Sequence, residues 1–199
     1  MINAFIDNNN TELHPVAYAA IHKLNINAVI DAKTGEKREY RHLITNPETE
    51  KVWGNSMYCE LGRLAQGTKR GTIGTDTLKF INKNLILQGR KVTYLRIVVD
   101  IREHKEVKER VRITVGGDKV SYPVEVTTRT ADTNTVKIHL NSTISNQNAH
   151  FVNLDLANFY LEMPMERKEY AKMRVADIPN QFMDEYNLHD LAVDGYVYV

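Results

Sequence analysis

Two groups of side chains have types and spacings that could do chemistry. In the run from Phe151 to Leu161, Val152, Leu154 and Leu156 alternate with Phe151, Asn153 and Asp155. Period-two alternation predicts a strand with one face on a core and the other carrying a carboxylate. An aspartate at the end of such a strand, followed by Asn158 and the aromatics Phe159 and Tyr160, could hold a hard-metal ion at a cleft. Equally, Asp155 or Asn158 could cap a following helix. Spacing alone leaves both readings open, because a metal needs further ligands.

The second group lies between Lys91 and Lys119, where eight basic side chains stand against five acidic ones, a net +3. Val92, Tyr94, Arg96, Val98 and Asp100 alternate with Thr93, Leu95, Ile97, Val99 and Ile101, and a charged stretch from Arg102 to Glu109 leads into a second alternating run. This predicts a long antiparallel hairpin with a polar tip, leaving at Gly116, Gly117 and Asp118. On its second strand Arg110, Arg112 and Thr114 share one face while Val111, Ile113 and Val115 take the other. Two guanidinium forks on one face could clamp an anion. A solvated, salt-bridged ribbon would give the same composition.

Other elements must position these groups. Residues 1–27 form an N-terminal leader ending its first part in Asn8, Asn9 and Asn10, with helix-compatible spacing from Glu12 to Asn25. Ala28 to Ile30 is a short apolar run before a turn at Asp31 to Gly35, and Glu39 to Thr45 is ambiguous. From Glu48 onward Val52, Trp53, Met57, Leu61 and Leu64 recur at helical spacing, with Gly67 at the expected stop; Trp53 reads as a core anchor. Thr68 to Asp76 is a basic, glycine-punctuated surface loop that lacks the Gly-Lys-Ser/Thr core of a phosphate loop. Thr77 to Ile81 and Leu85 to Gln88 are short strand candidates. A helix containing Val136, Ile138, Leu140 and Ile144 follows a cap at Thr130 or Asp132. The pair Asp132–Thr133 is no aspartic-protease signature, since Asn134 stands where glycine is required. A short helix between Ile178 and Leu191 and a strand over Gly195 to Val199 follow.

Composition bounds the function. Net charge is +1 over 199 residues with 26% charged, so no global field announces a polyanion and any nucleic-acid contact must be local. Cys59 is the only cysteine, which excludes an internal disulfide framework and fits a reducing compartment. With no signal-like N-terminus and no apolar run long enough to span a bilayer, the chain reads as soluble and intracellular.

The palm-like run from Asn153 to Pro164 resembles the first palm motif of reverse transcriptases of copia-type LTR retrotransposons. Asp155 stands at the family's strand-end aspartate, Tyr160 at the aromatic five residues on, and Leu161 at the following leucine; Glu162 and Ala157 replace the usual asparagine and lysine. Arg110 to Gly117 resembles the family's fingers hairpin, and Trp53, Ser56, Met57, Glu60 and Leu64 resemble its opening tryptophan helix. Tyr170, Met173, Arg174 and Val175 resemble the strand after the palm motif. The resemblance spans residues 28–199 and implies an α+β fold, a partial polymerase fingers and palm with a long antiparallel hairpin, palm strands and packing helices.

It further implies RNA-directed DNA polymerase chemistry, nucleotidyl transfer to a primer 3′-hydroxyl, in cytoplasmic or retrotransposon particles. Asp155 and the backbone carbonyl of Leu156 would hold Mg2+, two ions in the intact enzyme. Arg112, assisted by Arg110 or Lys108, would reach the triphosphate of the incoming dNTP, and Tyr160 would stack under its sugar and exclude a 2′-hydroxyl. RNA template and DNA primer would be the partners. The paired aspartates of the second catalytic motif, the thumb and the RNase H domain have no counterpart, and no two aspartates adjoin anywhere in the sequence. The expectation is therefore a fragment inactive alone. Its alternatives are a non-catalytic nucleic-acid-binding relic, or a partner-binding one that pairs with the missing palm half or with itself through an open sheet edge.

Overall fold

The computed structural model describes residues 28–31, 34–116, 120, 131–152, 154, 156, 158, 161, 165 and 167–199. They belong to two units, one drawn from Met1–Val120 and Glu166–Val199, the other from Ser121–Met165. Both α and β elements are present, arranged in two sheets.

In the first unit, strands β1 (Ala28–Ile30) and β2 (Lys37–Glu39) pair antiparallel as a small ribbon. The turn between them matches its sequence signal. Gly35 takes φ 70 and its N–H reaches the Asp31 carbonyl at 2.8 Å, a left-handed backbone that glycine adopts without a Cβ clash. The ambiguous segment resolves into helix α1 (Tyr40–Thr45), which leads into α2 (Glu50–Leu64). Trp53, Met57, Tyr58, Leu61 and Leu64 make the buried stripe of α2, since positions three and four apart share a helix face. The helix ends where expected: Gly67, at φ 99, donates its N–H to the Gly62 carbonyl at 2.9 Å.

The larger sheet runs β4-β3-β5-β6. Strand β3 (Val92–Ile101) pairs antiparallel with β4 (Glu109–Val115), and β5 (Tyr170–Arg174) pairs parallel with β3 and antiparallel with β6 (Tyr196–Tyr198). A chain returning some 70 residues later thus adds β5 beside the hairpin. One face of this sheet, with Leu95, Val99, Val111, Ala171, Met173 and Val197, is buried against α2 and against the short helix α4 (Asn180–Glu185), whose Phe182 and Met183 are enclosed. Phe182 stacks on Tyr186 at 4.3 Å and meets Tyr58 edge-on at 5.9 Å, geometry that the aromatic quadrupole favours.

Both outer strands of the sheet are met by other segments. On β4, the Val111 N–H donates to Ser56 Oγ at 2.9 Å, the Ser56 hydroxyl to the Glu109 carbonyl at 3.2 Å, and the Ile113 N–H to Glu60 Oε1 at 3.4 Å. Ser56 and Glu60, one turn apart on α2, so provide partners for a row of strand groups that would otherwise template another chain. On β6, the Ile81 N–H reaches the Tyr198 carbonyl at 2.9 Å.

Some expectations are corrected. Thr77 to Ile81 and Leu85 to Gln88 are not strands: the segment makes a single bridge at Ile81 and a 3-10 turn over Lys83–Leu85. Asp76 at φ 55 interrupts extension, and the Asn82 side chain accepts the Asn84 N–H at 2.9 Å, folding the chain locally.

In the second unit, α3 (Thr133–Ser145) starts at the expected cap, with Asp132 Oδ1 accepting the Thr135 N–H at 2.9 Å. Its Val136, Ile138, Leu140 and Ile144 are exposed. The expected strand from Phe151 to Asp155 does not form among the described residues. Beyond that stretch Asn158 lies in the left-handed region at φ 58 and its carbonyl accepts the Leu161 N–H at 2.8 Å. Val152, Leu154 and Leu156, expected on a buried face, are exposed. Among the described residues no helix is long and apolar enough to cross a membrane.

Candidate nucleic-acid interface

The hairpin forms with the expected alternation. Its register sets Asp100 opposite Arg110, Val98 opposite Arg112 and Arg96 opposite Thr114, so these six side chains share the face opposite the core. Val111 and Val99, paired on the other face, are buried. That burial, with the Ser56 and Glu60 contacts to the strand edge, fixes which way the arginines point. A one-residue slip would put Arg110 and Arg112 into the core.

Arg110 is half-buried and Arg112 exposed. Burial depresses the Arg110 pKa, and the neighbouring charges of Arg112 and Arg102 push it the same way, against the pull of Glu60 and Asp100. The positive charges of Arg112 and Arg102 are thus felt at Arg110, whose own carboxylate influences are Asp100 across the hairpin and Glu60, itself paired with Arg63 at 2.8 Å. Arg102 opens the tip, its N–H donating to the Lys108 carbonyl at 2.8 Å, while its Nε is buried and, among the described residues, has no hydrogen-bond partner. Like charges on one strand face are relieved by an anion with several oxygens. Lys108 sits exposed at the tip, one residue before β4.

The same sheet face carries a feature that residue-by-residue reading did not assemble. Tyr94 on β3, Tyr170, Lys172 and Arg174 on β5, and Tyr196 and Tyr198 on β6 fall on it by register. Each tyrosine has a cation over its ring: Arg96 over Tyr94 at 5.7 Å, Arg90 over Tyr170 at 5.6 Å, Lys172 over Tyr196 at 4.3 Å and Lys83 over Tyr198 at 5.8 Å. The period-two spacing of Tyr170, Lys172 and Arg174, and of Tyr196 and Tyr198, was the signal in the sequence. What the sequence lacked was the parallel pairing that lays β5 beside β3.

The basic loop after α2 is a surface loop. It is tied down rather than open: the Lys69 N–H donates to Glu185 Oε1 at 2.6 Å, and Arg70 lies over the Tyr58 ring at 5.0 Å while bonding Asn55 at 2.9 Å. A Cβ on Gly74 would meet the backbone of Ala65, Gln66 and Gly67, so glycine there permits the close approach.

The structure thus brings Arg110 and Arg112 together, with Arg102 beside them. Asp155 and Tyr160 lie outside the described residues. Leu156 is described and exposed, in the second unit. Among the described residues no group of three His, Cys, Asp or Glu side chains converges as a metal site. Compared with family models, curated proteins and solved structures, the chain matches none.

Proposed function

We propose that the chain is a fragment of a reverse transcriptase of the copia type, whose first unit contributes the phosphate-binding fingers. The observation that carries this reading is the placement of Arg110 and Arg112 on one face of a hairpin that α2 holds in register. Guanidiniums on a rigid strand lose little freedom on meeting phosphate oxygens. The resemblance of the sequence motifs supplies the reaction class. In this reading Arg112 contacts the triphosphate of an incoming deoxynucleotide with Arg110 or Lys108 beside it, and Tyr160 packs under the sugar. Asp155 and the Leu156 carbonyl hold magnesium, which would align the primer hydroxyl with the α-phosphate. A single carboxylate is too small a cage for two such ions, so the chain extends no primer alone.

Three tyrosine–cation pairs, at the partly exposed Tyr94, Tyr170 and Tyr196, favour a second reading, in which the sheet face binds single-stranded RNA without catalysis; Tyr198 is buried and takes no part. Aromatic rings beside cations accept bases of any sequence. The contacts from Ser56, Glu60 and Ile81 to the outer strands weigh against a third, partner binding through an open edge of the larger sheet.

The deciding experiment is fluorescence anisotropy with an RNA template annealed to a DNA primer, over a salt series, followed by primer extension with magnesium. The extension is run with the chain alone and with a separately expressed polypeptide supplying the paired-aspartate motif. Salt-dependent binding that Arg112→Gln weakens, with extension only in the mixture, is the expected result. Binding without extension in either case favours the second reading, and no binding at low salt removes both.

A further inference from the structure

The loop after α2 carries a sequence of side chains that neither the hairpin nor the sheet face uses. Lys69 and Arg70 are exposed, Gly71 follows, then comes a half-buried Thr72, and Ile73 is 87% exposed. A single isoleucine in water needs no explanation by itself. Its place directly after a hydroxyl that follows two cations, three and two residues back, is a pattern of charge and shape that another protein can read.

The loop is built so that its tip can open while its base stays. At the base the Gly67 N–H donates to the Gly62 carbonyl at 2.9 Å, the Thr75 N–H to the Arg63 carbonyl at 2.8 Å and the Asp76 N–H to the Ala65 carbonyl at 2.9 Å. The tip is closed by the Thr68 N–H on the Thr72 carbonyl at 2.9 Å, the Gly71 N–H on the Thr68 carbonyl at 3.0 Å and the Thr72 N–H on Thr68 Oγ1 at 3.2 Å. The Thr72 hydroxyl takes no part in these bonds. Few and near solvent, they belong to the low end of local stability. Gly71, at φ 94 with open space around it, turns the tip. Arg70 is held only by surface contacts, to the Tyr58 ring and to Asn55, which cost little to give up.

We infer that Thr72 is a phosphorylation site for a protein kinase that selects basic substrates. Such a kinase receives the cations of Lys69 and Arg70 on its own carboxylates and Ile73 in an apolar pocket. In the transfer Thr72 Oγ1 bonds to the γ-phosphorus of ATP, the bond from that phosphorus to the β–γ bridging oxygen breaks, ADP leaves, and the hydroxyl proton passes to a carboxylate of the kinase. The product adds about −1.5 to −2 charges at pH 7 to a cleft that Thr72 and Lys69 share with Glu185. There Glu185, at the end of α4, accepts the Lys69 N–H at 2.6 Å. The phosphate repels that carboxylate and competes for Lys69, so modification frees the loop from α4. The site is separate from the hairpin arginines and the tyrosine face, and it holds or fails without either reading of function.

The test incubates the folded full chain with magnesium ATP and the catalytic subunit of cyclic-AMP-dependent kinase, and locates the phosphate by tandem mass spectrometry. One phosphate on Thr72 is expected, absent in Thr72→Ala and restored in Thr72→Ser. Lys69→Gln and Arg70→Gln should each slow incorporation about tenfold, the equivalent of one charged contact. In the labelled chain the Lys69 amide should exchange its hydrogen faster, having lost Glu185. No incorporation, incorporation elsewhere alone, labelling of the urea-unfolded chain only, or rates that Lys69→Gln and Arg70→Gln leave unchanged would overturn the site, and unchanged exchange at Lys69 would overturn the release of the loop.

Discussion

The Ser56 hydroxyl of α2 and the Val111 N–H of β4 are joined by a 2.9 Å hydrogen bond across 55 residues of sequence, and the same hydroxyl donates to the Glu109 carbonyl. One side chain therefore satisfies two edge groups of the strand that carries Arg110 and Arg112. Ser56→Ala leaves the partly buried Val111 N–H without its partner and should cost about 1–2 kcal/mol. Urea unfolding measures that loss, and faster hydrogen exchange at Val111 and Ile113 should accompany it. Unchanged exchange there would mean that Val111 and Val99 hold the hairpin without the seal.

Glu185 binds two segments at once, accepting from Tyr58 Oη at 2.6 Å and from the Lys69 N–H at 2.6 Å. The Tyr58 hydrogen bond, with help from the Lys69 N–H and the nearby cations, holds its carboxyl below the usual range despite burial. A depressed folded-state pKa stabilises the fold above the unfolded value, about 4.3 for glutamate, and that contribution is lost as pH falls through the folded value. Stability should therefore decline below about pH 4 partly through this group. Glu185→Gln should lower stability at pH 7 by about 1 kcal/mol and flatten the acid limb. Thermal melts from pH 3 to 7 would show an unchanged acid limb if Glu185 were not responsible.

What the sequence made legible follows a physical pattern. Trp53, Met57, Leu61 and Gly67 announced α2 because helix period and a left-handed stop are local signals. The β3–β4 hairpin announced itself in the alternation around Arg110 and Val111 for the same reason. The tyrosine–cation face was not legible, since β5 joins β3 from some 70 residues away and local pattern does not encode parallel pairing. Alternation misled at Val152, Leu154 and Leu156, which are exposed: it measures a segment's fitness for a strand but supplies neither a partner strand nor a core for its apolar face.

If the hairpin arginines meet phosphates, their loss has a signature in salt. Arg110→Gln and Arg112→Gln should each reduce the slope of log affinity against log salt for an RNA–DNA duplex by about 0.7–0.9. Each should weaken binding by roughly 1.5–3 kcal/mol at low salt. Arg63→Gln, which removes an arginine paired with Glu60 at 2.8 Å on α2, should leave the slope alone. A slope that responds equally to all three substitutions would reflect general charge rather than a site.

The tyrosine face makes a different demand. Tyr196→Leu keeps an apolar side chain over the sheet but removes the ring under Lys172, 4.3 Å away. Single-stranded RNA should then bind about 1–3 kcal/mol more weakly, because stacking rather than charge is lost, and the salt slope should hold. Fluorescence quenching of an RNA oligonucleotide separates the two effects. Weakening by the hairpin substitutions but not by Tyr196→Leu would confine recognition to phosphate.

The polymerase reading meets its sharpest demand at Asp155. In extension assays supplemented with the paired-aspartate polypeptide, Asp155→Asn should abolish product while leaving duplex affinity within about twofold, because a metal ligand acts on the reacting phosphate and contributes little to ground-state binding. Tyr160→Ala in the same assay should admit ribonucleotides if the ring excludes a 2′-hydroxyl. The carboxamide keeps the shape of the side chain and removes its charge, so a merely structural aspartate, such as a helix cap, would tolerate it with activity intact. Extension that survives Asp155→Asn would return this residue to the capping role that its spacing equally allows.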